Sequence, residues 1–378
     1  MDSVNRCDVI IIGGGIAGAS LAYFLSKRGL TDVMILEREE QPGYHSTGRS
    51  AAVLIEMGFI PSVLQLTIMA ANFLRNPPEG FSQNPLLEQS GIMTMFQGSD
   101  WSMVEEVAPV FRQMGVSLEL LTPSQAVDRI PAVADTHFDG AVFLPKDGHI
   151  DVHELLWSYI RHARREGVQL RCGVEVRGIK VERGRCRGVV TNEGELIGQW
   201  IVNAAGAWAG IIGQLAGAVP IELTPYRRTV ITFAPPKGLD VTGWPLVANY
   251  THKLFFAPES RGLLASPMDE DPVEPCDAQP DELAVAQTID RLETLAPSLV
   301  PKSLLRKWAG LRTFASDQSY IIGEDPAVKG FFWLAGQGGS GIETSPAAGQ
   351  VAAELLIDGH TDLIDAQPFS PARFIRDP

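Results

Sequence analysis

The sequence has few cysteines and no long apolar run. Its 4 cysteines are scattered over 378 residues without a C-x-x-C pair, which argues against a zinc site and against a disulfide framework. The apolar stretch that begins at Val9 is soon interrupted by glycines, and no window holds the roughly 18 apolar residues that a membrane span needs. No signal-peptide pattern is visible. We therefore expect a cytoplasmic protein without a transmembrane segment, and attachment to the inner face of a membrane stays open.

Positive charge is also scarce, because 31 Lys and Arg stand against 45 Asp and Glu and the formal net charge is -14. A surface that binds nucleic acid needs a basic excess, so nucleic acid is not an expected partner. His149 and His153 have the i, i+4 spacing of a metal pair, but no third ligand is evident and we expect no metal. The chain is long enough for about two domains.

The amino-terminal residues carry the strongest pattern in the chain. Residues 9–12 form a continuous apolar run that predicts a buried parallel strand. Three glycines follow at G-x-G-x-x-G spacing: Gly13, Gly15 and Gly18. Helical periodicity covers 17–28, and a second apolar strand at 33–36 ends in Glu37. This succession of strand, glycine loop, helix and acid predicts a dinucleotide-binding unit.

Each of these residues has a mechanical reason to be where it is. Gly13 allows a tight turn out of the strand, Gly15 lets a pyrophosphate approach the backbone, and Gly18 lets the helix pack closely on the strand. The amino terminus of the helix offers free N–H groups to the pyrophosphate. Glu37 stands where a carboxylate can accept hydrogen bonds from ribose hydroxyls. The motif alone does not separate FAD from NAD, but no second unit of this kind appears, which argues against a nicotinamide-dependent reductase.

Dinucleotide-type character recurs in the middle and at the end of the chain, and the intervening segments read as antiparallel strands. We predict an α/β chain (α+β overall) with a discontinuous Rossmann-like cofactor domain and an inserted antiparallel-sheet substrate domain. The predicted cofactor domain comprises residues 1–84, 148–222 and 318–378, and the predicted substrate domain comprises residues 85–147 and 223–317.

Three motifs together resemble the D-amino acid oxidase/glycine oxidase/sarcosine oxidase superfamily of FAD enzymes. They are the opening IIIGGGIAGASLAYFLSKRG, NAAGAW at 203–208 and GQGGSGIETSPAAG at 336–349. Further stretches, such as GYHSTGRSAA, TPYRR and WAGLRTF, are most similar to the bacterial D-arginine dehydrogenases within that superfamily. The resemblance covers nearly the whole chain and implies FAD. The cofactor is expected to be noncovalent, because no cysteine stands at the attachment position used by sarcosine oxidases.

The resemblance also implies where FAD is held. The implied contacts of the pyrophosphate and ribose are Gly13, Gly15, Ile16, Ala17, Gly18, Glu37 and Arg38, and those near the pyrophosphate and flavin are Ser46, Thr47, Arg49, Ser50 and Ala51. Val176 meets the adenine side, and the NAAGAW motif contributes Ala205, Gly206 and Trp208. The residues implied to lie against the isoalloxazine ring are Gly339, Ser340, Gly341, Ile342, Glu343 and Thr344. A helix amino terminus near Thr344 would place positive potential where the reduced flavin collects negative charge.

The implied reaction is hydride transfer from a carbon next to nitrogen onto flavin N5, which gives an imine that water hydrolyses. Arg228 and Arg312 match the carboxylate clamp of the superfamily, and guanidinium forks suit a carboxylate. A structural ion pair is the alternative role for each arginine. Arg227 should point to the opposite face of its strand. Phe255 completes the expected catalytic set, and the expected substrate pocket comprises Val53, Ile92, Phe255, Arg228, Arg312 and Gly339.

Several polar groups of the D-arginine dehydrogenases are missing at the matching positions. By alignment, Val53 replaces a histidine and Ile92 replaces an acid of those enzymes. Their lid tyrosine falls near Gly58, and Phe255 replaces their tyrosine above the flavin. We therefore expect an amino acid, the D-enantiomer by resemblance, or a cyclic imino acid of low polarity rather than arginine. Glu56 is expected to be a solvated loop acid, with binding of a cationic group as the alternative.

The electron acceptor and the assembly are less strongly indicated. No lysine lies between Lys253 and Lys302, where the oxygen-activating lysine of sarcosine-type oxidases would be expected, so we predict a dehydrogenase that passes electrons to a quinone or a carrier. An FAD-dependent 2-hydroxy acid dehydrogenase would use the same arginine clamp. The flavin-bearing subunit of an opine-oxidase-like complex is the other alternative. Stereochemistry and oligomeric state are left open.

Overall fold

The computed structural model describes residues 6–259 and 262–375, which form a mixed α/β protein with three sheets. The strands are β1 (Arg6–Ile12), β2 (Val33–Leu36), β3 (Val53–Leu54), β4 (Leu87–Glu88), β5 (Ile92–Phe96), β6 (Glu119–Leu121), β7 (Gly140–Leu144), β8 (Gly148–Ile150), β9 (Gln169–Arg171), β10 (Val176–Glu182), β11 (Arg185–Thr191), β12 (Gly194–Asn203), β13 (Leu223–Phe233), β14 (Leu246–Asn249), β15 (Leu254–Glu259), β16 (Gly262–Ser266), β17 (Asp271–Pro272), β18 (Leu304–Ala315), β19 (Ile321–Glu324) and β20 (Phe331–Ala335). The helices are α1 (Ile16–Lys27), α2 (Pro61–Arg75), α3 (Ser99–Gln113), α4 (Pro123–Arg129), α5 (Val152–Arg165), α6 (Ala209–Ala216), α7 (Glu282–Leu295) and α8 (Ser345–Asp358).

The first sheet is the cofactor-type sheet. Its parallel strands run in the order β9, β2, β1, β12 and β20, and β19 pairs antiparallel at the end. Side chains alternate along β1, so Val9 and Ile11 pack in one core cluster with α1 and α8, whereas Ile10 and Ile12 pack in another with α6. Helices on both faces explain why the strand reads as an uninterrupted apolar run.

The second sheet is largely antiparallel and follows the order β6, β7, β5, β14, β15, β16, β13, with β17 and β18 also paired to β13. One pair departs from the expected antiparallel pattern, because β14 lies parallel to β5. A small third sheet joins β3, β8 and β4. The predicted combination of a Rossmann-like sheet with a second, inserted sheet is what the structure shows, whereas the residue boundaries of the two domains stay a prediction.

The register between β13 and β18 is the detail of the fold that matters most for the site. Tyr226 lies opposite Arg312, and Arg228 lies opposite Gly310. Residues two apart on a strand share a face, so Arg228 and Arg312 are diagonal neighbours on the same face of the sheet. Arg227 takes the other face and pairs with Asp281.

The sequence patterns missed or misplaced several elements. The sequence carries no clear helical pattern at α2, and its pattern predicts a strand at 174–176, whereas β10 starts only at Val176. The acidic, proline-containing segment 269–281 has the composition of a surface excursion, but Asp269 and Ala278 are buried. Among the described residues, no helix combines the length and apolarity that crossing a membrane requires.

Candidate functional site

The glycine loop between β1 and α1 is shaped by close backbone contacts. Gly13 has φ 112°, and a Cβ at this position would lie 2.4 Å from the carbonyl oxygen of Ala204 on the neighbouring strand end. The Gly14 N–H donates to Glu37 Oε2 over 2.8 Å. The Ile16 N–H, in the first turn of α1, donates to Thr47 Oγ1 over 3.1 Å. The loop, the end of β2 and the segment around Thr47 are thereby held as one unit.

Two adjoining cavities extend from this loop. The larger has a volume of about 450 Å³ and the smaller about 360 Å³. The residues that line both cavities are Gly15, Ser46, Thr47, Ala204 and Gly206. The two volumes therefore meet at the glycine loop, where the pyrophosphate of a dinucleotide would lie between its two halves.

The smaller cavity has the features of the adenosine end. Besides the residues that line both cavities, it is lined by six predicted cofactor residues, namely Gly13, Glu37, Arg38, Val176, Ala205 and Trp208. The Arg38 guanidinium carbon lies 4.2 Å above the Trp208 ring, a cation–π contact that orders this wall. Glu37 uses its second oxygen to accept the Glu39 N–H over 2.9 Å, so its carboxylate is held in place at the rim of the cavity.

The larger cavity is bordered by the loop before α8. Gly339, Ser340, Gly341, Ile342 and Glu343 line it, as do Ile16, Ala17, Ser50 and Ala51. The buried Gln337 Nε2 finds no hydrogen-bond partner among the described residues and is a free donor beside this cavity. A free amide donor next to an elongated cleft fits a flavin, whose ring edge carries acceptors. The residues present therefore fit FAD.

Two predicted cofactor residues lie behind the lining rather than in it. A Cβ on Gly18 would come within 2.1 Å of the Gly13 oxygen, so Gly18 serves the close packing of α1 on β1. Thr344 is fully buried, and its Oγ1 lies 3.0 Å from the hydroxyl of Tyr320. Both residues shape the cleft without facing it.

The guanidinium of Arg49 is bound by other groups of the protein. Its Nη1 donates to the carbonyl oxygen of Ala278 over 2.9 Å, and its Nη2 pairs with Asp277. Arg49 lines the larger cavity, and its place near the pyrophosphate and flavin stays a prediction, but its charge is already paired within the protein. The physical reason is that a carboxylate from the distant segment before α7 already neutralises it.

Arg228 and Arg312 both line the larger cavity, and their surroundings differ. Arg228 donates to the Asp269 carbonyl oxygen over 2.9 Å and pairs with Glu270 over 2.8 Å. Burial, and then the nearby charge of Arg312, lower the pKa of Arg228 to about 10. No residue that the structure describes forms a hydrogen bond or ion pair with the Arg312 guanidinium, although burial lowers its pKa too. Arg312 is thus a partly buried cation whose guanidinium has no direct ion-pair partner among the described residues.

The remaining wall of the larger cavity is apolar. Val53 and Phe255 line it as expected from their positions, together with Leu246 and Ala248. Ile92 does not line the cavity, because it is fully buried in the apolar cluster behind that wall. The expectation that Ile92 lines the substrate pocket is corrected accordingly. The side chain of Phe59, 72% exposed, lies at the cavity mouth.

Glu56 is neither a solvated loop acid nor a free binder of cations. It is 5% exposed, pairs with Arg75 on α2, and its own N–H donates to Asp147 Oδ2 over 2.7 Å. Arg75 also contacts Asp147 Oδ1 at 3.0 Å. Burial, with the nearby charge of Glu56, raises the pKa of Asp147 to about 8, because two buried carboxyl groups share a single guanidinium.

Sequence reasoning missed three features of the larger cavity. Tyr250 lines it, and burial raises the pKa of its phenol while Arg312 and Arg228 oppose that rise. Gln337 supplies the free donor. Glu343 was assigned to the flavin, but its buried charge was not anticipated. No local pattern marks Tyr250, which follows a short strand that was not predicted.

The sheet is Rossmann-like, and its glycine loop opens into a two-part cleft that ends at a pair of arginines. These features are typical of a flavin-dependent oxidoreductase. Comparison with protein families agrees with this class. Residues 8–355 match the DAO family, described as FAD dependent oxidoreductase. The chain belongs to this family, and its cofactor is FAD.

Similar proteins span almost the whole chain. The mouse FAD-dependent oxidoreductase domain-containing protein 1 is 27% identical, over 98% of this chain and 85% of that protein. Sarcosine oxidase subunit beta of Rhizobium meliloti is 25% identical, over 95% of this chain and 86% of that protein. Among solved structures, L-proline dehydrogenase from P. horikoshii has a TM-score of 0.87 at 24% identity and covers 98% of each chain. Glycine oxidase from Geobacillus kaustophilus has a TM-score of 0.85 at 23% identity, with 98% and 100% covered.

Proposed function

We propose that this protein oxidises the carbon–nitrogen bond of an amino acid or cyclic imino acid of low polarity to an imine, and so to a 2-oxo acid. The observation that carries this proposal is the Arg312 guanidinium, which is partly buried at the larger cavity without a direct hydrogen bond or ion pair among the described residues. A cation that is largely withdrawn from water is stabilised when an anion binds to it directly. A substrate carboxylate is the anion that this family of reactions supplies.

A bound flavin would supply the acceptor, at N5, for the substrate's α-hydrogen and its electron pair. The chain itself orients the substrate. Arg312 and Arg228 form a fork on one face of the second sheet that holds a carboxylate, and each charge-assisted bond is worth about 1.5–3 kcal/mol. Orientation of the Cα–H by this clamp is the main contribution expected of the protein.

The apolar wall supports a substrate of low polarity. Val53 and Phe255 stand where the resembling D-arginine dehydrogenases have polar groups, and Leu246 and Ala248 extend the same wall. Glu56, the acid that could have held a cationic side chain, is occupied by Arg75. Relatives named for sarcosine and proline support a small or cyclic amine in a cavity of about 450 Å³.

The proposed acceptor is a quinone or an electron carrier rather than oxygen, since the segment between Lys253 and Lys302 contains no lysine. The FAD is proposed to be noncovalent. Release of free FAD on denaturation and slow reoxidation of the reduced flavin in air would both support these points. Rapid reoxidation in air would contradict the choice of acceptor.

The test is anaerobic bleaching of the purified yellow holoenzyme. We expect brisk bleaching by apolar D-amino acids or cyclic imino acids, weak bleaching by D-arginine and none by 2-hydroxy acids such as lactate. Arg312→Met should abolish bleaching at substrate concentrations that saturate the wild type. Arg227→Met is the matched control, because Arg227 lies on the opposite face of β13. Brisk bleaching by lactate would favour a 2-hydroxy acid dehydrogenase, and no bleaching by any substrate would favour a subunit that is inactive alone.

A further inference from the structure

Glu343 brings a negative charge into a cavity that is otherwise cationic. Among the described residues that line the larger cavity, Glu343 is the one with a carboxyl group, and it lines this cavity together with Arg228 and Arg312. Its charge interacts with that of Arg312. The cavity therefore presents a cation and an anion to the same ligand.

The Glu343 side chain is held in place by the protein. It is 8% exposed, and its Oε2 accepts the Ile55 N–H over 2.8 Å. The nearby hydroxyl of Ser340 lowers the pKa of the carboxyl group. A carboxylate can accept about four hydrogen bonds, so these two contacts leave capacity for a ligand donor. The loop before α8 and the segment after β3 are thereby joined across the cavity by this one side chain.

This arrangement matches the charges of an amino acid. In an α-amino acid the carboxylate and the ammonium group are separated by one carbon, so a site that binds both needs a cation and an anion close together. We propose that Glu343 binds the amino group of the substrate and accepts its proton before oxidation. The inference rests on the proposed function, in which Arg312 and Arg228 hold the carboxylate of the same substrate.

The proton transfer balances as follows. One N–H bond of the ammonium group breaks, an O–H bond forms on Glu343, and a lone pair remains on nitrogen. That lone pair forms the C=N bond as the α-hydrogen leaves with its electron pair to the FAD that the family supplies. Glu343 then loses its proton to water at the cavity mouth.

The titratable groups around Glu343 favour such a role near neutral pH. Burial raises the pKa of Glu343 to about 7, whereas the Ile55 N–H, the Ser340 hydroxyl and Arg312 lower it and Glu56 raises it. The other ionisable neighbours are the phenols of Tyr250 and Tyr320, whose pKa values are themselves raised by burial. A proton acceptor works best when its pKa lies near the operating pH.

The first test measures binding rather than turnover. The holoenzyme is titrated with α-aminoisobutyrate, which has no α-hydrogen and cannot be oxidised, and with pivalate, in which a methyl group replaces the amino group. The flavin absorbance spectrum reports binding. We expect Glu343→Gln to raise the Kd of α-aminoisobutyrate by about 10-fold or more, because a charge-assisted hydrogen bond is lost. The Kd of pivalate should stay within about twofold of the wild-type value.

The second test is the pH profile of anaerobic flavin reduction by a substrate found in the panel. In the wild type, the rate constant at limiting substrate should rise through pH 7 as Glu343 ionises. In Glu343→Gln the rise should move to the higher pKa of the free ammonium group, and the rate at pH 7 should fall about 100-fold. Glu293→Gln removes the same charge from the exposed face of α7 and should match the wild type.

The outcomes separate this inference from the proposed function. If Glu343→Gln weakened the binding of both ligands equally, or if its pH profile were unshifted, the proposed role of Glu343 would be overturned. The carboxylate clamp of Arg228 and Arg312 would be unaffected by that result. Failure of the wild type to bind either ligand would count against the clamp and therefore against both. If Glu343→Gln does not retain flavin, Glu343→Asp is tested instead. The shorter side chain keeps a carboxyl group but withdraws it from the ligand, so we expect the same selective loss of affinity for α-aminoisobutyrate.

Discussion

The guanidinium of Arg312 lies directly against the backbone of Gly339. A Cβ built on Gly339 would be 2.5 Å from both Cζ and Nη2 of Arg312. The loop before α8 therefore positions the cation that awaits the substrate, and a single methyl group at position 339 would push it aside. This relationship links the loop that borders the flavin end of the cleft to the arginine of the second sheet.

Gly339→Ala should impair substrate binding without unfolding the protein. The displaced atoms are at the end of a flexible side chain, so the shift costs little stability, but the carboxylate loses part of its clamp. We expect KM to rise about 10- to 100-fold, corresponding to about 1.5–3 kcal/mol for a hydrogen bond to a charged group. Steady-state kinetics on the flavin-loaded variant would measure this.

The control for this substitution is Gly58→Ala. Gly58 lines the same cavity, and a Cβ there would meet no atom within 4 Å. Its KM should stay close to the wild-type value. Comparable KM values for both variants and the wild type would contradict the positioning of Arg312 by Gly339.

Glu37→Gln should weaken retention of FAD. The two Glu37 oxygens accept the N–H groups of Gly14 and Glu39, and an amide offers only one acceptor atom. One of those N–H groups would then face an NH₂ group, and the glycine loop would lose its support. We expect FAD to dissociate about 10-fold more readily, measured by flavin fluorescence on dilution. Glu40→Gln, at the exposed neighbouring residue, should behave as wild type.

Asp147→Asn should flatten the dependence of stability on pH. The pKa of Asp147 is about 8 in the folded protein and 3.8 ordinarily, so the folded state holds more protons between those values. The free energy of unfolding therefore falls as pH rises from 4 to 8. Glu343, whose pKa is also raised, contributes in the same direction and leaves a residual slope.

Urea unfolding at pH 5, 6.5 and 8 would measure this dependence for the wild type and for Asp147→Asn. Asp135→Asn, at an exposed position, is the control and should keep the wild-type slope. An identical slope in Asp147→Asn would show that the cluster of Glu56, Arg75 and Asp147 takes up no proton in this range.

Phe59→Ser should affect substrates more than stability. Phe59 is 72% exposed at the cavity mouth, so its loss should change the free energy of unfolding by less than about 0.5 kcal/mol. Removal of its apolar surface should raise KM several-fold for bulky apolar substrates and less for small ones, at about 25 cal/mol for each Å² of contact. Leu305 is 63% exposed on β18 and does not line the cavity, so Leu305→Ser should leave the KM values of bulky and small substrates unchanged. Equal KM values for bulky and small substrates in Phe59→Ser would contradict this role.

Local patterns predicted the amino-terminal unit well, because its parts are close along the chain. The β1 strand, the glycine loop, α1 and Glu37 lie within 32 residues, and the hydrogen bond between Gly14 and Glu37 follows from that short connection. Ile92 shows the opposite case. All residues of β5 are buried, so no alternation in the sequence indicates which side chains face the cavity.

The pairing of Arg49 and the burial of Glu56, neither of which was predicted, have a common cause. Arg49 pairs with Asp277, and Glu56 pairs with Arg75 and contacts Asp147 through its backbone. These partners lie 19 to 228 residues away, and the sequence carries no sign of such pairings. A charged residue in a loop reads as solvated until its distant partner is known.

By itself, the sequence determined the cofactor unit and the alternation of the two kinds of sheet, because glycine spacing and apolar runs act over short stretches of chain. Only the tertiary structure decided the reactive end of the cleft. The register of β13 with β18 brings Arg228 and Arg312 to one face, and the loop before α8 adds Glu343 to the same cavity. Charges that are far apart in sequence interact only through space, so their balance depends on how the sheets and loops pack.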